Sequence, residues 1–438
     1  MSWAMGFARN RPREWADDPY RWLPVGVFAF HTSSERGEMA DAGVEGIRRS
    51  ALRFVVLIGV VSLFADMTYE GARSIAGPFL ATLGANGTVV GVVAGLGELI
   101  GYALRLLSGH LSDRTGRYWA LTIWGYAVNM LAVPLLALAG RWEVAAALLI
   151  AERVGKAIRT PPRDVMLSHA SSQLGRGWAF GVHEALDQIG AVVGPLVVAG
   201  VLMRLGRYDL GFAVLLVPAL IALGVLFGAR LVYPEPRIFE VVPAIPTLGR
   251  RYPSAFWIYM AAVACLAAGY ADFPLIAFHF KKTALFADGS IPLLYALAMA
   301  VDAVAALLLG RLFDRWGLSV LVAVPLLSCL SAPFVFSDSA ALAVAGMVLW
   351  GVGIGAQESI VRAAIAFMIP ADRRGTAYGV FNAVYGVMWF AGSALLGILY
   401  DFALGWLVVF SVGAQLIAVP ILFAVRHTGR PARTETEP

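Results

Sequence analysis

Apolar runs of about twenty residues recur from one end of this chain to the other, and about twenty is the length an α-helix needs to cross a bilayer. They fall at Arg53–Leu80, Thr88–Leu107, Tyr118–Ala139, Val144–Arg159, Trp178–Leu202 and Gly211–Leu231, then at Ser254–Phe280, Ile291–Leu309, Gly317–Phe336, Ala340–Phe367, Thr376–Tyr400 and Gly405–Val425. Numbered 1 to 12, these spans divide evenly about a polar break that carries Pro234, Pro236, Pro243 and Pro246 and reads as a linker on the membrane surface. Composition agrees with the count. Hydrophobic residues make up 59% of the chain and charged ones 14%, against roughly 45–50% and about 25% in soluble domains. A soluble enzyme is excluded. The expected fold class is an all-α membrane protein with 12 transmembrane helices in two pseudo-symmetric six-helix bundles, at 53–231 and 253–425, joined by a linker at 232–252.

Basic residues in the loops set the orientation. The loops after spans 1, 3, 5, 7, 9 and 11 hold only Arg141, Arg204, Arg207, Lys281 and Lys282. The other loops and the C-terminal tail hold the larger share, among them Arg114, Arg117, Arg176, Arg250, Arg251, Arg311, Arg315, Arg373 and Arg374. Both termini and the linker are therefore expected in the cytoplasm, and the protein as a multi-pass protein of a bacterial cytoplasmic (inner) membrane. Residues 1–52 and 426–438 fit no span and read as cytoplasmic tails. Met39 offers an alternative start within the first tail, to which no function is assigned. Cys265 and Cys329 lie in apolar runs and supply neither a disulfide framework nor a metal cluster.

The two halves echo each other. Gly109-His-Leu-Ser-Asp113-Arg114-Thr-Gly116-Arg117 follows span 2, and Gly310-Arg-Leu-Phe-Asp314-Arg315-Trp-Gly317 follows span 8. Arg176-Gly177-Trp-Ala-Phe-Gly181 is matched at nearly the same offset by Arg374-Gly375-Thr-Ala-Tyr-Gly379. Such duplication places a substrate site at the midplane between the repeats. At these residues the chain resembles the major facilitator superfamily (MFS) of secondary transporters, whose loop between helices 2 and 3 reads G-x-x-x-D-R-x-G-R-R/K. Gly109, Asp113, Arg114, Gly116 and Arg117 match, and Tyr118 replaces the last base. The resemblance implies a conformational latch at these five residues, with Gly310, Asp314 and Arg315 as its second copy. Asp113 beside Arg114 and Arg117 is expected to form a charge cluster tying helix ends together.

Span 5 resembles the G-x8-G-x3-G-P-x2-G-G pattern of proton-antiport exporters in that superfamily. Gly181, Gly190, Gly194 and Pro195 fall at its spacings, while Val198 and Ala199 replace the final glycines. The resemblance implies close contact with the other half at these glycines, and a helix bent at Pro195. A narrower likeness runs through Phe64–Glu70, Glu98 and Arg153–Asp164, to a bacterial subgroup whose cargo it does not reveal.

Ionisable groups at membrane depth are costly and functional by default. Spans 3, 6, 9 and 12 hold none in their apolar stretches, as befits outer, supporting helices. Spans 1, 4, 7 and 10, the set that lines the superfamily's cavity, carry Asp66, Glu70 and Arg73; Glu152, Arg153, Lys156 and Arg159; Asp272; and Glu358 with Arg362. Asp66, Glu70 and Arg73 follow i, i+4, i+7, and Glu152, Lys156 and Arg159 do the same. Coupling needs a carboxyl that is neutral in one state and ionised in another, so a Glu152–Lys156 pair made or broken by a helix shift could load and release a proton. Asp66 with Glu70 offers a second device, since two nearby carboxyls resist ionising together. Asp187, like Glu98 and Arg105, is equally readable as interhelical glue, and Asp302 is a weaker candidate. Arg73, Arg153, Arg159, Asp272, Gln357, Glu358, Asn382 and Tyr385 are the expected substrate contacts, with Phe273 and Trp389 as apolar walls.

No H-E-x-x-H, G-x-S-x-G or G-x-x-x-x-G-K-[ST] occurs, so neither an enzyme nor an ATP-driven pump is expected, and no cofactor or metal is called for. The expected partners are protons, a small-molecule substrate and the lipid bilayer, with no nucleic acid, and the expected assembly is a monomer. The function read from these residues is proton-coupled export, by antiport, of a drug-like compound, a metal or a metal chelate. The alternative is a proton symporter importing an organic anion or other nutrient, which the basic face of span 4 favours.

Overall fold

The computed structural model describes residues 33–171, 174, 176–234, 252–370 and 373–428. The expectations for most of the N-terminal tail, for the linker at 235–251 with Arg250 and Arg251, and for the tail from 429 onward lie outside the described residues. Contacts divide the chain into Met1–Ile47 and Arg48–Pro438. The membrane architecture belongs to the second unit, in which α1 (Ser33–Thr82) contributes the membrane-length segment Arg48–Thr82.

Before the linker follow α2 (Gly87–Thr115), α3 (Tyr118–Leu135), α4 (Trp142–Ser171), α5 (Arg176–Leu205), and the pair α6 (Tyr208–Val214) and α7 (Leu216–Val232). After it come α8 (Ser254–Gly269), α9 (Phe273–Lys282), α10 (Ile291–Trp316), α11 (Ala323–Ser328), α12 (Ser331–Val335), α13 (Ala340–Glu358), α14 (Ile360–Met368), α15 (Arg374–Phe402) and α16 (Leu404–Thr428). Large apolar side chains face outward, with Leu107, Leu138, Leu231 and Phe402 all more than half exposed. In a soluble protein that would invite aggregation; here it is the face offered to lipid.

Among the described residues ten stretches are long and apolar enough to cross a membrane, and two physical facts account for the remaining two spans. α4 has the length, at 30 residues, but carries too many charges for an apolar window. The stretch Asp288–Val335 runs to 48 residues, about 70 Å if helical and more than twice a hydrocarbon core of about 30 Å. It is broken at Gly317, whose φ of 57° ends α10.

Spans 7 and 10 are each divided into two helices. Span 7 breaks over residues 270–272, where Asp272 adopts extended backbone and caps α9 by accepting from the Phe273 amide at 2.9 Å, with Pro274 in the first helical turn. The carbonyls this break frees are taken up inside the protein: Gly269 by Ser411 and Gln415, Ala271 by the Trp350 indole. Irregular backbone at membrane depth requires such partners. Span 10 breaks at Ser359, between α13 and α14.

The chain has two ends across the membrane direction: the linker end, where α7 finishes, and a far end, where α1 finishes and α2 begins. At the far end the halves touch backbone to backbone. A Cβ on Gly77 would lie 1.9 Å from the Pro274 carbonyl oxygen, and one on Gly91 2.3 Å from that of Ser393. Asp401, at the end of α15, accepts from the Gly87 amide at 2.9 Å and from the Thr88 amide and hydroxyl at 2.7 Å each. One carboxylate of the second half thus caps the first turn of α2, where unpaired amides and the helix dipole favour negative charge.

Candidate functional site

Asp66, Glu70 and Arg73 do share one face of α1, and each reaches a different helix. Asp66 meets the Arg159 guanidinium at 3.6 Å. Glu70 accepts from the Tyr295 hydroxyl at 2.5 Å, across the boundary between halves. Arg73 binds Asp272 at 2.8 Å, also across that boundary, and the Trp389 indole donates to the other oxygen of Asp272 at 3.4 Å. Asp66 and Glu70 thus lie on one face of α1, each with its own partner, an arginine for the first and a tyrosine hydroxyl for the second.

On α4 the expected pair is not made. Glu152 turns toward α3, where the Asn129 side-chain amide donates to its carboxylate at 2.5 Å and to its carbonyl at 3.0 Å. Its nearest cation is Arg153, at 3.5 Å, which is held more closely by Glu98 at 3.0 Å. Lys156 instead lies 3.5 Å above the Tyr69 ring, and no carboxylate among the described residues comes within 4.0 Å of it. The reason is geometric: Gly155 brings α4 so close to Asn129 that Glu152 is drawn to the α3 side, while Lys156 points to α1. Arg159 is almost fully buried, stacked over Tyr126 at 4.2 Å.

Between the halves lies a cavity of about 530 Å³, lined by Glu70, Arg73, Glu98, Tyr102, Met299, Trp350, Ile354, Gln357, Glu358, Arg362, Tyr385 and Trp389. Glu358 and Arg362 are exposed, as is Glu184 on α5. The Tyr385 hydroxyl donates to the Gln357 carbonyl oxygen at 2.8 Å. Arg153 lines a second cavity, of about 490 Å³, with Glu152, Tyr69 and Arg73 at one end and apolar residues such as Leu80, Val90 and Val133 along the rest. Arg73 is common to both. Asn382 is half-buried but is not among the residues lining the first cavity. Phe273 is fully buried, packed on Tyr295 and Trp350.

Asp187 sits 3.5 Å from His183, whose other nitrogen meets Ser62 at 2.9 Å. His183, Glu184 and Asp187 could offer three ligand atoms to a cation, but Arg163 also donates to Ser62 beside them, at 3.0 Å.

At the linker end, Gly116 has φ 64° and closes α2 as a left-handed cap. Asp113, Arg114 and Arg117 are exposed, and no ion pair forms among them, so the expected charge cluster is absent in this arrangement. Asp314 and Arg315 are likewise exposed; a Cβ at Gly310 would meet nothing within 4 Å, and one at Gly109 only Pro161, at 3.6 Å. The glycines of α5 also require a correction. A Cβ on Gly190 or Gly194 would lie about 2 Å from the Leu63 or Met67 carbonyl oxygen, so they bring α5 against α1 of the same half rather than against the other half. Gly181 has open space, and Pro195 lies within the unbroken helix α5.

Several of these groups were not anticipated from the residues. Asn129 and Tyr295 look like ordinary members of apolar runs, and nothing local marks their partners. The break at 270–272 did carry a signal, since an Asp followed two residues later by Pro is a helix-start pattern.

Comparison with known proteins gives a consistent picture. The family model of the Major Facilitator Superfamily matches residues 58–393 and 273–437. The uncharacterized protein Rv2265 of Mycobacterium tuberculosis is 46% identical over 383 residues, covering 86% of this chain and 94% of its own length. An uncharacterized MFS-type transporter of Methanocaldococcus jannaschii is 25% identical over 375 residues, covering 80% and 89%. Among solved structures, a bacterial homolog of the human lysosomal transporter Spinster, in an inward-facing and occupied conformation, superposes with a TM-score of 0.69 at 14% identity, covering 88% of this chain and 99% of that one.

Proposed function

Since the chain belongs to the major facilitator superfamily, and is thus a multi-pass membrane protein of a secondary-transporter family, we propose that it exports a small molecule in exchange for protons. The observation that carries this reading is Glu70. It lines the cavity between halves, and its partner is a neutral hydroxyl from the opposite half, with no lysine or arginine among the described residues within 4.0 Å. A carboxyl so placed can hold a proton or a cationic group of the cargo, not both. Binding of each then favours a different arrangement of the halves.

The linker end, with its arginine-rich loops, faces the cytoplasm of a bacterial inner membrane. Cargo enters the cavity from that side, where Glu358 and Arg362 are exposed. Acids and an aromatic wall of Trp350, Tyr385 and Trp389 suit a cationic or amphipathic compound. One chain encloses the whole cavity, so a monomer suffices. Glu152, Asp66 and Asp187 remain proton-handling candidates behind Glu70, and the Asp113 and Asp314 loops remain latch candidates for the opposite state.

A second reading, import of an organic anion with protons, has its own support in Lys156, a cation that lies over the Tyr69 ring and has no carboxylate within 4.0 Å among the described residues. The test uses inside-out membrane vesicles in which respiration acidifies the lumen and a quenched dye reports the gradient. Lipophilic cations, antibiotics, divalent metals and organic acids are added singly. Cargo-dependent dequenching with wild type, lost in Glu70→Gln, is the expected result. Dequenching that persists in Glu70→Gln removes Glu70 from the mechanism, and proton-linked uptake of an organic acid into whole cells replaces export by import.

A further inference from the structure

The buried carboxyls on α1, α2, α4 and at the α9 cap are each answered by an arginine, a tyrosine hydroxyl or an asparagine amide. Asp302, in the middle of α10, is not. Its relative exposure is 1%, and no cation among the described residues lies within 4.0 Å of it. Among the described residues its one hydrogen-bond partner is Gln188 of α5, across the boundary between halves, whose amide donates to Oδ2 at 3.5 Å. Among the charged groups around it are acids from three other helices, Glu358 of α13, Glu184 of α5 and Glu70 of α1; the phenol of Tyr270 is also near. Arg362 on α14 is engaged with Tyr102 and Glu358 instead.

A second observation concerns the same pair. Asp302 Oδ1 and Gln188 Oε1 are both buried with no hydrogen-bond donor. Two oxygens that each lack a donor, on the two partners of one contact, are what an amide facing a carboxylate leaves behind. One proton on the carboxyl changes the arithmetic: its O–H can donate to the amide oxygen while the amide N–H donates back. Gly355 leaves the room, since its absent Cβ would lie 3.0 Å from Asp302 Oδ1. Burying a lone carboxylate among acids in a membrane interior costs far more than burying the neutral acid with its hydrogen bonds made.

We propose that Asp302 is a proton-binding group of this transporter: it is the neutral acid while α5 and α10 are in contact, and it gives its proton to water when they part. Separation removes Gln188, admits solvent and leaves the three neighbouring acids to be screened. The proton is therefore tied to the seam between halves rather than to the cavity wall where Glu70 lies. The role in transport rests on the proton-coupled reading above; the protonation itself does not.

The test is infrared absorption of the full-length protein in membranes at neutral pH, read as wild type minus Asp302→Asn. A protonated carboxyl has a carbonyl stretch that a carboxylate lacks. A protonated-carboxyl band in that difference is expected. Its absence overturns the proposal. Gln188→Lys provides the second arm and does not depend on Asp302→Asn folding, since it leaves Asp302 in place and sets a cation beside it. That variant should lose the same band, and a band that survives unchanged also overturns the proposal. Loss of coupling in Glu70→Gln without an Asp302 band would spare the export reading and refute this one; the band without any cargo-linked proton movement would do the reverse.

Discussion

Replacing Asp401 by Ala should loosen the far end without touching the cavity. Three hydrogen bonds disappear, to the Gly87 amide and to the amide and hydroxyl of Thr88, all from the second half to the first. α2 itself keeps a cap, because Asn86 still accepts from the Val89 amide at 2.9 Å. The loss therefore falls on the closed arrangement and not on the helix. Removal of a capping side chain costs about 0.5–2 kcal/mol. About 1.4 kcal/mol corresponds to a tenfold change in an equilibrium, so the ratio of far-end-open to far-end-closed molecules should rise roughly two- to thirtyfold. Val90 is fully buried on α2 one turn beyond the cap, which makes it a suitable reporter. In a chain whose two native cysteines are replaced, Val90→Cys should react with a membrane-impermeant maleimide several times faster once Asp401→Ala is added. Asp401→Asn, which keeps one acceptor, should fall between. Equal rates with and without Asp401→Ala would refute the view that this carboxylate holds the halves together.

Gly77→Ala places a Cβ 1.9 Å from the Pro274 carbonyl oxygen, so α1 and α9 can no longer meet; the same maleimide assay should show the far end held open, with transport lost at normal expression. Arg73→Ala leaves Asp272, the α9 cap, as a buried charge without its cation and should destabilise the protein by about 3–5 kcal/mol. The double variant Arg73→Met with Asp272→Asn should recover much of the thermal stability of the detergent-solubilised protein, and failure to recover it would show that the pair is not what stabilises the break.

The run lengths in the sequence were enough to give the all-helical membrane fold, and helical spacing was enough to place the ionisable groups of α1 together, although the cavity is lined from α2, α10 and α15 as well. α1 shows why this worked: i, i+4, i+7 spacing puts Asp66, Glu70 and Arg73 on one face whatever packs against it. What lay beyond reach was the choice of partner. Glu152 and Lys156 have ideal spacing for a pair along one helix, yet Gly155 admits Asn129 from α3 and Tyr69 lies under the lysine, so contacts between helices outweigh a weak contact within one. The same limit applies to Gly190 and Gly194, whose spacing announces a close approach but not which helix makes it. Asp302 looked unremarkable as a single acid in a long apolar run; its interest comes from Gln188, which only the fold brings near.

The charges that disqualify α4 as an apolar segment also bear on how the chain is made. A helix with this many ionised side chains gains little by entering lipid alone. Its partners are Ser62, Asp66 and Tyr69 on α1, Glu98 on α2, and Tyr126 and Asn129 on α3. Every one of them precedes α4 in the chain. Synthesis proceeds from the N-terminus, so by the time α4 leaves the ribosome these six partners have already been delivered to the membrane. The order of the helices along the gene thus doubles as an insertion schedule, and moving α4 ahead of α1–α3 by permutation would strand its charges at the translocon even though the finished set of contacts is unchanged.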